Sequence, residues 1–232
     1  MTDEPMVAGE PETGSAPWQT LDALQRRVLG VLVEKAKTTP DSYPLTVNSI
    51  KTACNQKSNR KPLMDLDSDD VMATLDELRE MGAVSEVQGD GRVSKYRHRA
   101  YEWLGVDKWE LAVTTELLLR GEQTVGELRG RAARMEPIDN LAALQPILDR
   151  LLAKNLLINL TPPGRGQIVT HALYQDGEQP TEASINAAEI RSEAPASAAG
   201  RSPSSELSEL RQTVAELTRR VESLEERLSD QA

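Results

Sequence analysis

Apolar residues recur at helical spacing over residues 21–37, and this pattern predicts the first helix. Five of them would share one face of a helix: Leu21, Leu24, Val28, Val31 and Leu32. A second helix is predicted to start at Thr46 or Asn48, either of which can cap its free N–H groups. A third is predicted from Ser68 to Gly82, with acidic residues in its first turn.

A strand, a tight turn and a second strand follow the third predicted helix. The strands are predicted at residues 83–88 and 93–99, on either side of the turn 89–91. Three helices followed by such a hairpin give the order of elements of a winged helix, in which the hairpin is the wing. We therefore predict that residues 18–103 form a winged-helix domain.

The same unit occurs a second time. Nine residues between positions 71 and 101 recur, identical or similar in type, 73 positions later. The pairs are Val71/Leu144, Leu75/Leu148, Leu78/Leu151, Gly82/Asn155, Val84/Leu157, Gly91/Gly164, Arg92/Arg165, His98/His171 and Tyr101/Tyr174. A second winged-helix domain is predicted over residues 104–175. The short connection at residues 102–106 favours fixed packing between the two domains.

The second domain repeats the order of elements of the first. Helices are predicted at residues 107–120, 126–135 and 141–154, strands at 123–125, 156–160 and 168–174, and a wing at 162–166. Pro146 conflicts with the third of these helices, because proline lacks a backbone N–H and restricts the residue before it. That helix is expected either to start late or to kink at Pro146.

The C-terminal part of the chain has a different pattern. Residues 176–205 are rich in Ala, Ser, Pro and Glu, which predicts a disordered linker. Apolar residues then follow in alternating steps of three and four, at Leu207, Leu210, Val214, Leu217, Val221, Leu224 and Leu228. This spacing predicts a coiled coil over residues 206–230 and a homodimer joined through it. The alternative is an amphipathic helix folded back on its own domain.

The predicted fold is therefore mostly α with small β wings (α+β). Tandem winged-helix domains are followed by a disordered linker and a C-terminal coiled-coil helix. Residues 1–17 are acidic and rich in Pro and Gly, and we expect them to be a disordered N-terminus. They contain no apolar targeting segment, and the longest apolar stretch, 28–33, is too short to cross a bilayer. We expect a cytoplasmic protein with no membrane association.

The distribution of charge limits the classes of partner. Residues 18–175 carry 21 basic and 21 acidic residues, so the net charge of -10 arises in the extensions. A neutral folded part lacks the strongly basic balance of a tight, sequence-independent nucleic-acid binder. Local basic patches can still contact phosphates.

No catalytic constellation is evident, and we predict a protein that is not an enzyme and has no cofactor. The two histidines, His98 and His171, occupy equivalent places in the repeat, which favours a structural role over a paired site. Cys54 is the single cysteine and has no neighbouring His or Cys with metal-ligand spacing, so no metal site is predicted.

Basic residues nevertheless cluster in three places. They occur around the second helix and the following loop, on the wing and its second strand, and on the second helix and wing of the repeat. The candidate residues for binding nucleic acid or a partner are Lys51, Lys57, Arg60, Lys61, Arg92, Lys95, Arg97, Arg99, Arg129, Arg131, Arg134 and Arg165. Strand parity places Lys95, Arg97 and Arg99 on one face. The alternative is a solvated surface whose charges are paired in salt bridges.

The third helix of the first domain argues against ordinary reading of DNA bases. It carries five acidic residues and a single Arg79, and carboxylates facing phosphates weaken binding. Any contact with DNA is therefore expected through the second helix and the wings, with little sequence readout.

Several longer motifs indicate a family. They are the segments at residues 43–48, 52–60, 117–121, 126–129 and 131–135. Over residues 21–174 the chain closely resembles the bacterial YceH-like family of uncharacterised tandem winged-helix proteins. The resemblance implies the fold and a bacterial origin, and it implies no activity, substrate or cofactor.

Two hypotheses for function remain. The first is a non-enzymatic macromolecule-binding protein with weak or non-specific DNA binding or a regulatory role. The second is a protein–protein scaffold similar to the tandem winged-helix subunits of bacterial chromosome-condensing complexes. The polar segment at residues 52–61 is the expected binding surface, for DNA or for a protein partner.

Overall fold

Two successive copies of one order of elements make up the described part of the chain. In this computed structural model that part comprises residues 18–88, 93–178 and 180. The predicted N-terminal segment 1–17, the turn 89–92, most of the linker 176–205 and the coiled coil 206–230 lie outside the described residues. The described residues form a mixed α+β fold with seven α-helices and two small antiparallel sheets.

The first copy contains three helices and a three-stranded sheet. Its elements are α1 (Ala23–Thr38), a 3-10 turn (Pro40–Ser42), β1 (Leu45–Thr46), α2 (Val47–Cys54), α3 (Ser68–Glu80), β2 (Val84–Val87) and β3 (Lys95–His98). The second copy follows a short helix, α4 (Ala100–Leu104). It consists of α5 (Lys108–Arg120), β4 (Gln123–Thr124), α6 (Val125–Ala132), α7 (Leu141–Ala153), β5 (Leu157–Asn159) and β6 (Ile168–His171).

Polar residues just outside the helices explain where the helices begin. The side chain of Thr46 accepts a hydrogen bond from the Ser49 N–H, so Thr46 rather than Asn48 caps α2. Asn140 caps α7 in the same way. The helix therefore begins at Leu141 despite Pro146, and the prediction of a late start is wrong.

The two sheets have the same topology. The strand order is β1-β3-β2 in the first and β4-β6-β5 in the second, and every pairing is antiparallel. In the first sheet the central strand β3 places Lys95 beside Thr46 and Arg97 beside Ser85. This register decides which side chains share a face.

The connection between the copies contains a short helix that was not predicted. Part of the expected connection, residues 102–106, belongs to α4, which is capped by Gly105 with a left-handed φ of 64°. Trp103 and Leu104 on this short helix are buried. The connection is therefore part of the packed structure.

The first helices of the two copies pack against each other, and one apolar core runs through both halves. Gly30 lies at this contact. A Cβ atom added there would lie 2.9 Å from Cδ2 of Leu119, a side chain with no exposed surface. Glycine in a helix is normally unfavourable relative to alanine, so its presence here is explained by the close approach of α1 and α5.

We expect Gly30→Leu to lower the free energy of unfolding by about 1–3 kcal/mol, because the added side chain overpacks the contact between α1 and α5. Gly130 in α6 is the matched control, since a Cβ there would meet no atom within 4 Å. Gly130→Ala should raise the stability by about 0.5–1 kcal/mol. Urea unfolding followed by circular dichroism measures both, and equal effects would contradict the role of Gly30.

None of the helices in the described residues combines the length and the apolar character needed to span a bilayer.

Candidate functional site

The outer face of the first sheet is basic. Lys95, Arg97 and Arg99 are exposed, whereas Tyr96 between them is buried. The prediction from strand parity is therefore confirmed for Lys95 and Arg97, whereas Arg99 follows the end of β3 as the N-cap of α4. None of the three makes an ion pair within the described part of the chain.

The cross-strand neighbours of Lys95 and Arg97 are uncharged. The residues paired with Lys95 and Arg97 on the same face are Thr46, Ser85 and Val87. Nε of Arg97 donates a hydrogen bond to Oγ of Ser85 at 3.2 Å. The acidic residue of β2, Glu86, is paired with Tyr96 in the register and so lies on the opposite face. Among the described residues, this face of the strands carries cations and no carboxylate.

The start of α2 extends this surface. Its cap, Thr46, is the strand neighbour of Lys95. Asn48, Ser49 and Thr52 are exposed on the helix, and Lys51 is half-buried. Hydroxyl and amide groups beside exposed cations are the groups that proteins use to bind phosphate oxygens.

Arg60 is not a surface cation, and its prediction as a contact residue is wrong. Its side chain is buried, with Nη2 2.6 Å from Oε2 of Glu34 in α1. It also donates hydrogen bonds to the carbonyl oxygens of Ala53 and Asn59 and to Oε1 of Gln56. The guanidinium of Arg60 bonds to groups inside the protein, because a buried cation needs a carboxylate and hydrogen-bond acceptors around it.

The loop at residues 55–61 fastens the two halves together. The Lys61 N–H donates to the carbonyl oxygen of Leu119 at 2.9 Å, and the Lys61 ammonium pairs with Glu122. Arg120 in turn donates to the side chain of Asn59. The polar segment predicted as a binding surface therefore mainly connects the two halves through hydrogen bonds and an ion pair.

One part of this segment stays accessible. Lys57 and Ser58 are exposed and line an open groove of about 520 Å³, together with Lys35 and Arg134. The structure therefore groups Lys57 with Arg134, and it groups Lys95, Arg97 and Arg99 separately on the first sheet.

The cations of α6 bond to groups of their own half, and Arg134 beyond the end of α6 also approaches Oε1 of Glu34 in the first half, at 3.9 Å. Arg131 pairs with Glu127 and donates to Gln123, and Arg129 donates to the carbonyl oxygen of Ile138. Arg134 lies 3.3 Å from Oε2 of the buried Glu116. Arg165 is exposed in the second hairpin, and Arg92 lies outside the described residues.

The second sheet lacks the basic face of the first. The residues equivalent to Lys95 and Arg97 in the repeat are Ile168 and Thr170, and both are buried. The hydroxyls of Thr170 and Tyr174 lie 2.8 Å apart. Of the two copies, only the first therefore has a central strand with exposed basic residues.

The third helices also differ from each other. The acidic residues predicted on α3 are exposed there: Asp69, Asp70, Asp76, Glu77 and Glu80. On α7 the two cations are turned toward Glu110, which accepts from Arg150 at 2.9 Å and from Lys154 at 2.7 Å. The exposed residues of its first turns are uncharged: Leu141, Ala142, Ala143, Gln145 and Pro146.

The two histidines have the same structural role in each half. Nδ1 of His98 accepts from the Ala100 N–H at 3.3 Å, and Nδ1 of His171 accepts from the Leu173 N–H at 3.2 Å. Burial lowers the pKa of His98 to about 4 and that of His171 to about 3. Both rings are neutral at physiological pH, as expected of structural histidines.

Cys54 is a buried residue of the core. Burial raises the pKa of its thiol to about 12, which keeps the sulfur protonated and unreactive at neutral pH. The predicted dimerisation residues all lie beyond the described part of the chain: Leu207, Leu210, Val214, Leu217, Val221, Leu224 and Leu228.

Sequence reasoning missed the buried ionic cluster between the halves. Glu34 and Glu116 are buried in α1 and α5, and Nε of Arg120 lies 2.8 Å from Oε1 of Glu116 without hydrogen-bond alignment. Burial raises the pKa of Glu116, opposed by Arg120 and Arg134. A glutamate inside the apolar run of α5 was the available signal, because such a charge needs a buried partner.

Comparison with known proteins places the chain in a family. A family model described as "Protein of unknown function, DUF480" matches residues 21–165. The chain belongs to this family. The match confirms the expected membership of an uncharacterised bacterial family, and the DUF480 region contains both halves up to the second hairpin.

Several curated relatives are similar to this chain over most of their length. A UPF0502 protein of Rhodopirellula baltica is 56% identical over 168 residues, which cover 72% of this chain and 71% of the relative. A UPF0502 protein of Geotalea daltonii is 49% identical over 150 residues, covering 63% and 68%. One from Geotalea uraniireducens is 47% identical over 160 residues, covering 68% of each.

Proposed function

We propose that the protein is a non-enzymatic DNA-binding protein built from two winged helices. The order of helices and hairpin in each half, together with the finer resemblance to YceH-like proteins, supports the winged-helix assignment. The contact surface is the outer face of the first sheet with the start of α2. The observation that carries this proposal is the pair of exposed cations on β3, Lys95 and Arg97, on a face without a described carboxylate, followed by the exposed Arg99 at the end of the strand.

Binding is to the phosphate backbone, with little readout of base sequence. Three cations with hydroxyl groups beside them fit phosphate oxygens. The exposed face of α3 carries five acidic residues, and carboxylates of this density are repelled by the phosphates that border the major groove. Contact through the sheet and α2 therefore replaces the usual insertion of the third helix.

A protein partner for the second half is the alternative function. In the second half Arg131, Arg134 and Arg150 are held in internal ion pairs, and the exposed start of α7 is uncharged and partly apolar. Depletion of charge around an apolar patch is typical of protein interfaces. A scaffold role, similar to that of the winged-helix subunits of chromosome-condensing complexes, is favoured by this observation. The homodimer through residues 206–230 remains a separate proposal.

Duplex DNA binding measured by fluorescence anisotropy at increasing salt tests the main proposal. We expect the affinity to fall steeply with salt, because each phosphate contact releases a counterion. In the variant Lys95→Ala/Arg97→Ala, the slope of log affinity against log salt should become shallower by about two, about one for each lost contact.

The matched control removes two exposed cations from the other half, in Lys108→Ala/Arg165→Ala. Its net charge changes by the same amount, but it should keep the slope of the unaltered protein. Equal losses in the two variants would mean that binding follows net charge alone and would reject the first sheet as the site. Absence of binding at low salt would favour the scaffold alternative.

A further inference from the structure

A small cavity lies where the two halves meet, apart from the first sheet. Its volume is about 160 Å³. The start of α1, the loop after Arg60, the end of α5 and the region of His171 and Tyr174 surround it. Four cations line it with a single carboxylate: Arg26, Arg27, Lys61, Arg120 and Glu122.

Arg27 is the unusual member of this lining because its buried charge has no carboxylate partner in the described region. The residue is 1% exposed. Its two terminal nitrogens donate to the carbonyl oxygens of Cys54 at 2.9 Å and Pro62 at 2.6 Å. Its Nε is buried without a hydrogen-bond partner among the described residues. A buried charge left without a counterion is strongly destabilising.

The other three cations already have carboxylate partners. Arg26 pairs with Glu178, Lys61 with Glu122 and Arg120 with Glu116. His171, which also lines the cavity, is neutral at physiological pH because its burial lowers its pKa to about 3. The lining therefore has an excess of positive charge, and the excess is the charge of Arg27.

We propose that this cavity binds a small oxyanion of the size and charge of inorganic phosphate, held by Arg27 with Arg26, Lys61 and Arg120. A cavity of about 160 Å³ is large enough for such an ion, because a single water molecule needs only about 10–15 Å³ measured in the same way. Pockets for nucleotides and other large metabolites are usually larger, at about 300–1,000 Å³. The anion supplies the counter-charge that Arg27 lacks.

Such an anion would join the two halves. Arg26 and Arg27 lie in α1 of the first half, and Arg120 lies at the end of α5 in the second. Binding would therefore stabilise the contact between the repeats. The site is independent of the DNA-binding proposal, because none of its residues belongs to the first sheet.

Phosphorus-31 NMR of inorganic phosphate tests the proposal on the full chain. We expect saturable broadening of the phosphate signal as protein is added, at constant ionic strength maintained with sodium chloride. Arg27→Gln should weaken binding by about tenfold or more, since it removes a charge-assisted contact. Ala23→Met, which fills the cavity from its lining without removing a charge, should abolish the broadening.

Two controls make the result decisive. Ala36→Met changes the same type of half-buried residue in the same helix and should leave the broadening intact. Lys95→Ala/Arg97→Ala should also leave it intact, because the basic sheet is a separate surface. Broadening that survives Ala23→Met, that disappears in Lys95→Ala/Arg97→Ala, or that never saturates would overturn the proposal, even if Arg27→Gln fails to fold.

Discussion

Replacing Arg60 with Met is expected to lower the free energy of unfolding by about 3–5 kcal/mol, the usual cost of breaking a buried ion pair by removing one partner. Glu34 would keep a buried carboxylate whose remaining described cation, Arg134, lies 3.9 Å away. The carbonyl oxygens of Ala53 and Asn59 would also lose a donor. Urea unfolding followed by circular dichroism measures the loss.

A double variant separates the effect of the broken ion pair from the effect of lost packing. Arg60→Met/Glu34→Met removes both charges, and replacing a buried pair by apolar side chains is often close to neutral. We therefore expect the double variant to recover at least half of the stability lost in the single one. A single variant that loses less than about 1 kcal/mol, as is usual for an exposed pair, would refute the burial of this interaction.

Acid is expected to destabilise the protein through His171. Burial lowers its pKa to about 3 in the folded protein, whereas the unfolded chain has a value near 6.5. As the pH falls, the unfolded chain therefore binds the proton first. The stability contributed by the neutral ring is complete above about pH 6.5 and decreases as the pH falls toward 3.

The predicted loss from this group is about 2 kcal/mol between pH 6.5 and pH 4.5. The variant His171→Gln has no imidazole to titrate. Between pH 6.5 and pH 4.5 its free energy of unfolding should therefore fall by about 2 kcal/mol less than that of the unaltered protein, even if the variant is less stable at pH 7. Chemical denaturation at a series of pH values measures both curves. Their difference isolates His171 from the carboxylates, and parallel curves would show that the ring is protonated equally in both states.

Periodicity and the repeat were sufficient to predict most of the secondary structure. The helix caps, the glycine stops and the alternation along β3 are local features, so the sequence pattern alone contains them. The short helix α4 was missed, because five residues carry too little periodicity to distinguish a helix from a connection. Pro146 was expected either to delay α7 or to kink it, and the cap at Asn140 excludes the late start.

The candidate site was harder to predict, because charge in a sequence does not show which partner it meets. Lys95, Arg97 and Arg99 could be placed on one face by parity. Arg60 looked like a neighbour of the exposed Lys57, and its partner Glu34 lies 26 residues earlier in the chain. Long-range pairing of this kind depends on how the halves pack. Because Arg60 is buried, a loss of DNA binding in Arg60→Ala would report on folding and not on a direct contact.

The most direct test of the account is to locate DNA on the protein by amide chemical-shift mapping with a short duplex at low salt. We expect shifts for residues 45–49 and 95–99, the start of α2 and the basic strand. Little change is expected along α3 and α7. Shifts concentrated on α3 or α7, with the basic strand unaffected, would contradict the proposal that the first sheet binds the phosphate backbone.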